Sequence, residues 1–183
     1  KEIIAEITAL ARRSPEINQR SGVSLRVSIS NYETLLGNAF KRGLRCNEPA
    51  SPRISDLPSI HASTAGKIEL ETVEEGREAK VVDDLIKRAV LNVFGRNFAV
   101  EEFQDLLDMF EEQLVVEVGS ELPSASYVDQ LGETLGRSEL VLRLGPADDP
   151  ASFASAVELI LEGLHLSRML NRDSVDGKYV YRR

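Results

Sequence analysis

Two short segments carry residue types suited to handling phosphate. The first is Ser63-Thr64-Ala65-Gly66-Lys67. A phosphate loop needs Gly, four residues, then Gly-Lys followed by Ser or Thr, so that backbone amides cradle phosphate and the hydroxyl binds magnesium. Here His61 stands five residues before Gly66, and Ile68 follows Lys67. Both the tight turn and the metal-binding hydroxyl are missing, so the segment fails as a phosphate loop. The second is Ser21-Gly22-Val23-Ser24-Leu25-Arg26, which places an arginine in the first turn of a helix that Ser24 is suited to cap. A helix N-terminus carries partial positive charge and mildly disfavours a cation, so local preference does not explain Arg26. An anion nearby would, because amides plus a guanidinium make a phosphate site. A solvent-facing arginine, or one paired with Glu33, is the plainer alternative.

Other reactive residues are sparse. His61 and His165 are the two histidines, and neither has a second His or a carboxylate at i+4. Glu69 stands at a distance from His61, and Glu162 lies three residues before His165. Solvated or capped histidines fit those spacings better than metal ligands, and no metal site is expected. Cys46 is the single cysteine, which rules out an internal disulfide and suits a reducing cytoplasm. Arg45 beside it favours a thiolate, yet no general base is visible, so an inert thiol is expected. Glu101, Glu102, Asp105, Asp108, Glu111 and Glu112 form an acidic face. That pattern reads as a solvated helix surface, or alternatively as a dock for a basic partner or a weak divalent-cation site.

The chain has 183 residues, with 42% hydrophobic and 28% charged, and apolar runs too short for a membrane span. No secretory leader is visible. Residues 1–53 hold nine Lys/Arg against five Asp/Glu, a net of +4. Residues 54–183 hold thirteen against twenty-five, a net of −12, which with the first region gives the chain its −8. Such asymmetry suggests two surfaces with different partners, and the acidic part argues against nucleic-acid binding. The chain starts at Lys1 inside an amphipathic pattern without an initiator Met, which reads as a fragment of a longer protein.

These residues must be positioned mainly by helices. Ile3, Ile7, Leu10 and Ala11 mark an opening amphipathic helix. Ser14-Pro15-Glu16 predicts a short second helix ending near Arg20. Ser24 then caps a long helix whose expected core stripe is Leu25, Ile29, Tyr32, Leu36, Ala39, Phe40 and Leu44. Proline-rich residues 47–58 predict the main linker. A short strand is expected over 67–72. Helices follow around Val82–Val93, Phe103–Leu114 and, more weakly, Val128–Leu135. Residues 139–144 are too short to assign. Asp149-Pro150 starts a last long helix with Phe153, Val157, Ile160, Leu161 and Leu164 on its core face. Lys178–Arg182 alternates as an edge strand or loose tail. The expected class is predominantly all-α with one or two short strands.

The Ser-Gly-Val-Ser-Leu-Arg segment opening a long helix, with an amphipathic helix before it, resembles the lid of MoxR-type AAA+ ATPases. The magnesium-chelatase subunit I-like branch is the nearest in pattern. Pro52-Arg53-Ile54-Ser55-Asp56-Leu57, Ala62-Ser63-Thr64-Ala65-Gly66-Lys67-Ile68-Glu69 and Glu75-Gly76-Arg77-Glu78 are similar to the C-terminal part of that branch. The resemblance covers residues 1–95, and no motif is recognised beyond. It implies a lid-like helical subdomain over 1–50, a linker over 51–66 and a C-terminal helical domain over 67–183. Arg26 would be the sensor-2 arginine that reaches the γ-phosphate of ATP, Ser24 the cap fixing its approach, and Arg20 a weaker phosphate or subunit-interface contact. Phosphate loop, magnesium-binding acid and arginine finger are missing, so ATP and Mg2+ would be held by an upstream AAA+ base domain. The full protein would form a homo-oligomeric ring that remodels a client protein or partner subunit, often for metal insertion. The fragment alone would not be catalytic. The competing expectation is a self-contained acidic helical protein–protein interaction module without nucleotide binding. A nucleic-acid binder ranks last, since basic and aromatic residues do not interleave.

Overall fold

The first element is an amphipathic helix, as the spacing of its aliphatic residues predicts. The computed structural model describes residues 1–20, 22–72, 76–136, 138–146 and 149–183. Helix α1 (Glu2–Ala11) buries Ile4, Ile7, Leu10 and Ala11. It packs against α2 (Leu25–Cys46) and α4 (Arg77–Asn97). Between α1 and α2 no second helix forms. Residues around Pro15 turn instead, and Ile17 bridges Leu70. The Asn18 amide donates to the Glu69 carbonyl and the Glu71 amide to that of Glu16. The expected helix at 14–20 therefore gives way to an extended pairing that buries Ile17. The expected strand over 67–72 is reduced to this one bridge among the described residues.

Residues 51–66 are structured. A 3-10 helix over Ile54–Ile60 runs directly into α3 (His61–Thr64). Leu57 and Ile60 are buried there, and Asp56 is buried with them. After α4, a 3-10 turn (Val100–Phe103) leads into α5 (Gln104–Glu111). The helix expected to reach Leu114 stops earlier, because Gln113 takes a left-handed φ of 75° and redirects the chain. Then come β1 (Val116–Val118), α6 (Ser124–Leu135), α7 (Glu139–Leu142), α8 (Pro150–Leu166), β2 (Asn171–Val175) and β3 (Lys178–Arg182). The structure is thus predominantly helical with one small antiparallel sheet. No described helix is long and apolar enough to cross a membrane.

Helix α8 is the centre of the packing. Asp149 caps it, accepting from the amides of Ala151 (3.3 Å) and Ser152 (3.0 Å), and Pro150 occupies the first turn. All five predicted core residues are buried, but so is nearly every residue from Ala156 to Leu164. Such all-round burial marks a central helix. Gly163 permits the close approach of α4, since a Cβ there would lie 2.2 Å from the Phe94 ring. Phe94, Phe98 and Phe103 stack around that contact with centroids 5.4–5.7 Å apart.

The sheet order is β1-β3-β2, so the Lys178–Arg182 segment is the central strand, not an edge or a tail. Val116 pairs Tyr181 and Val118 pairs Tyr179 on one side; Asn171 pairs Arg182 on the other. Asp176 and Gly177, both at positive φ, form the β2–β3 turn. Val116, Val118 and Tyr181 place the sheet on the same hydrophobic cluster that begins at Ile4.

The stripe expected to anchor α2 faces outward. Leu25, Ile29, Leu36, Phe40 and Leu44 are exposed, whereas Val27, Asn31, Leu35, Ala39, Arg42 and Gly43 are buried. Of the expected stripe, Ala39 is buried and Tyr32 partly so. The two faces differ little in apolar content. Polar partners decide which one turns inward: Asn31 meets Ser63 and Thr64, and Arg42 meets Asp56.

Candidate functional site

The turn before α2 is fixed from two sides. Val23 is buried, and its carbonyl accepts from Arg12 Nε at 3.2 Å. Gly22 adopts φ 66°, a conformation that costs little only without a Cβ. Ser24 is extended (φ −66°, ψ 147°), and its hydroxyl accepts from the Arg26 amide at 3.2 Å, as expected for the cap. The Val27 amide bonds the Ser24 carbonyl. Two of the amides that an anion would use are therefore occupied. Ser21, the first residue of the motif, lies outside the described residues.

Arg26 is exposed, and among the described residues its guanidinium makes no hydrogen bond or ion pair. The pairing with Glu33 is not formed. Arg20 is also exposed; its amide bonds Asn18 Oδ1 at 2.9 Å. Chemically, Arg26 is a solvated donor fork on the first turn of a long, capped helix. It can meet an oxyanion only if another body brings one.

The decoy segment is internally consumed. The Ser63 and Thr64 hydroxyls donate to Asn31 Oδ1 at 2.7 and 3.1 Å. The Gly66 amide donates to Glu78 Oε1 at 2.9 Å. A carboxylate at that amide repels phosphate, in line with the sequence argument against a phosphate loop. Glu75, quoted in one similar segment, lies outside the described residues.

Both histidines have partners. His61 Nε2 lies 2.8 Å from Asp83 Oδ1, and His165 Nδ1 lies 3.0 Å from the Leu170 carbonyl. Cys46 Sγ sits 4.0 Å from the Glu121 carbonyl. No group of three potential ligands able to hold a metal occurs among the described residues. The acidic face is divided: Glu101 and Glu102 fall in the 3-10 turn and Glu112 just past the end of α5. Glu102 pairs Arg143 at 2.7 Å and Glu111 pairs Arg183 at 2.9 Å. The amide of Ala99 and then Arg143 hold the Glu102 carboxyl below its ordinary range.

Sequence reasoning missed a buried polar network behind α2. Arg42 and Asp56 are both essentially sealed from water and paired at 2.5 Å. Asp56 also accepts from Asn38 (2.8 Å) and the Arg53 amide (2.8 Å), and Arg42 donates to the Ser51 carbonyl. Arg53 reaches Glu48, Ser124 and the Leu122 carbonyl and lies over the Tyr127 ring. Glu158 on α8 accepts from the Ser55 amide (2.6 Å), the Ser55 hydroxyl (3.0 Å) and the Tyr127 hydroxyl (2.5 Å). Burial pushes the Glu158 carboxyl above its ordinary range, and it raises the Tyr127 phenol as well. One turn along, Glu162 pairs Arg172 and accepts from Tyr181.

The network gives the Arg53-Ile54-Ser55-Asp56 run a concrete task. Three of its four residues join α2, α6 and α8 through side-chain or amide bonds. The available signal was a cluster of charges inside a proline-rich stretch. Buried charges survive only when paired and hydrogen-bonded, and here Arg42 has Asp56 and Arg53 has Glu48, although the Arg42 and Arg53 Nε atoms make no hydrogen bond.

No protein-family model matches this chain, and neither the curated proteins nor the solved structures yield a match.

Proposed function

We propose that this chain is the lid and C-terminal helical part of a MoxR-type, magnesium-chelatase subunit I-like AAA+ ATPase, with Arg26 as its sensor-2 residue. The observation that carries the reading is the exposed guanidinium of Arg26, unpaired among the described residues, on a helix whose start is held by Ser24, Val23 and Arg12. An arginine so placed is costly to the helix dipole and contributes nothing visible to the fold. It suits a phosphate oxygen delivered by a base domain outside these residues, which would hold ATP and Mg2+. In that setting the guanidinium stabilises charge on the transferred phosphoryl group, and the α1–α4 packing passes lid angle to the C-terminal helices. The setting would be a cytoplasmic homo-oligomeric ring acting on a client or partner subunit without nucleic acid, and this chain alone would not turn over ATP.

The test is Arg26→Ala, with Arg26→Lys beside it, in the ring carrying its base domain. Hydrolysis should fall on the order of 10²–10³-fold for Ala while helicity and melting stay unchanged. Normal turnover in Arg26→Ala would remove this residue from the mechanism. The second reading, an interaction module that binds no nucleotide, draws its support from the outward apolar stripe on α2. Under it, the chain would be self-contained and would bind no ATP.

A further inference from the structure

The outward face of α2 is built for a partner. Leu25, Ile29, Leu36, Phe40 and Leu44 are 64, 51, 39, 58 and 68% exposed. Their spacing places them on one side of a 22-residue helix. A contiguous apolar patch of this kind on a folded surface marks an interaction site more often than scattered single residues do. At its C-terminal end the patch becomes concave, where Phe40 and Leu44 meet Pro49 and Ala50. Gly43 allows that shape: a Cβ there would lie 2.8 Å from the Glu48 carbonyl.

The charges on this face select among occupants. Arg26 stands near one end and Lys41 near the other, about 22 Å apart along the axis. Glu33 lies between them. Among the described residues none of the three makes a side-chain ion pair. A second copy fits poorly. Antiparallel pairing about the middle of the stripe sets Leu25 opposite Leu44 and Ile29 opposite Phe40, but sets each Glu33 against Leu36 of the other copy, where no cation meets it. It also places each Arg26 beside Lys41 of the other copy. Like charges so placed cost affinity. A membrane surface fits poorly too. Interfacial helices carry many cations on the polar face and often Trp on the other, whereas here the opposite face is buried and Trp is absent.

We infer that α2 is the docking face for an amphipathic helix with acidic flanks, its apolar residues laid along Leu25 to Leu44 and its carboxylates meeting Arg26 and Lys41. This is helix-in-face recognition, with the stripe's apolar residues at i, i+4, i+11, i+15 and i+19. The cations set partner choice and register, and the stripe supplies the buried area. The inference shares Arg26 with the nucleotide reading, but Leu36, Phe40, Lys41 and Leu44 lie two or more turns beyond it, and the variants that test the docking face are confined to that end.

The probe is a synthetic helical peptide with a leucine stripe at that spacing and glutamates at its edges. Its twins carry lysine edges, or serine in place of the stripe. Titrated into the labelled chain, the glutamate peptide should bind at least 10-fold tighter than either twin and weaken as salt rises. Phe40→Ser with Leu44→Ser should reduce binding at least 10-fold, and Lys41→Glu should shift preference toward the lysine twin. All are exposed positions, so an unchanged circular dichroism spectrum confirms that the variants remain folded. Equal binding of the two charged peptides, binding that survives the double serine variant, or no binding would overturn the proposal. So would a wild-type dimer that Phe40→Ser dissociates, or retention on phosphatidylserine vesicles that this variant abolishes.

Discussion

Helices α2 and α8 invert each other. On α8 the aliphatic residues lie inside, and the two buried carboxylates, Glu158 and Glu162, are bound by Tyr127 and Ser55 or by Arg172 and Tyr181. On α2 Leu25, Ile29, Leu36, Phe40 and Leu44 lie outside, while Asn31 and Arg42 are inside beside Val27 and Leu35. The difference teaches that apolar spacing identifies a helix but does not choose its buried face when both faces contain apolar residues. What chose it on α2 was the supply of polar partners from residues 51–64.

Breaking that supply should have the largest effect. Asp56→Ala leaves Arg42 buried without its carboxylate and should cost about 3–5 kcal/mol in urea unfolding. If Asp56→Ala unfolds like the wild type, polar pairing is not what orients α2. The aliphatic side of the comparison is sharpened by a pair of truncations. Phe153→Ala on α8 should cost about 3–5 kcal/mol, whereas Phe40→Ala on α2 should stay within about 0.5 kcal/mol. Equal melting shifts for the two would mean that the α2 stripe is already covered.

Glycines give a smaller contrast. Gly163→Ala drives a methyl into the Phe94 ring and should destabilise by about 1–3 kcal/mol. Gly37→Ala, on the exposed side of α2 with open space around it, should stabilise by about 0.5–1 kcal/mol. Thermal melts of the two variants should move in opposite directions.

The finest test is pH. Burial raises the folded Glu158 carboxyl above its unfolded value of about 4.3. Below that value both states are protonated and the site contributes nothing. As pH rises, the unfolded chain loses the proton first, so the site progressively destabilises the fold until the folded carboxyl has also ionised. Glu158→Gln should therefore gain stability relative to wild type as pH rises above about 4. Glu6, held low by Asn92 and then Arg96, and Asp149, held low by Ser152, act in the opposite sense but equally in both proteins, so they cancel in the difference. Parallel stability curves would show that Glu158 keeps its proton in neither state.

Much of the helical order was readable from local chemistry. Asp149-Pro150, Ser24 and the α8 core residues behave as their types predict, because capping and burial there depend on neighbours within a few residues. The pairing of Ile17 with Leu70 was hidden, since Ser14-Pro15 reads locally as a helix start while a contact fifty residues away overrides it. The sheet was half visible: Asp176-Gly177 is a hairpin turn signal, yet the pairing of β1 with β3 joins residues too distant for periodicity to register. At the candidate site, Ser24 and Arg26 were legible because a cap and its first turn are adjacent in sequence. Arg42, Asp56 and Glu158 were not, because the reason for burying a charge is another charge or donor far along the chain.

The β1-β3-β2 order has a consequence for biosynthesis. Residues 116–118 and 171–175 leave the ribosome before the strand that separates them. Until residues 178–182 emerge, neither earlier segment has its partner, and Tyr181 cannot seal Glu162. The nascent chain must therefore hold this corner open while its helices assemble, and a stop codon at Lys178 would delete the middle of the sheet and leave two orphan margins.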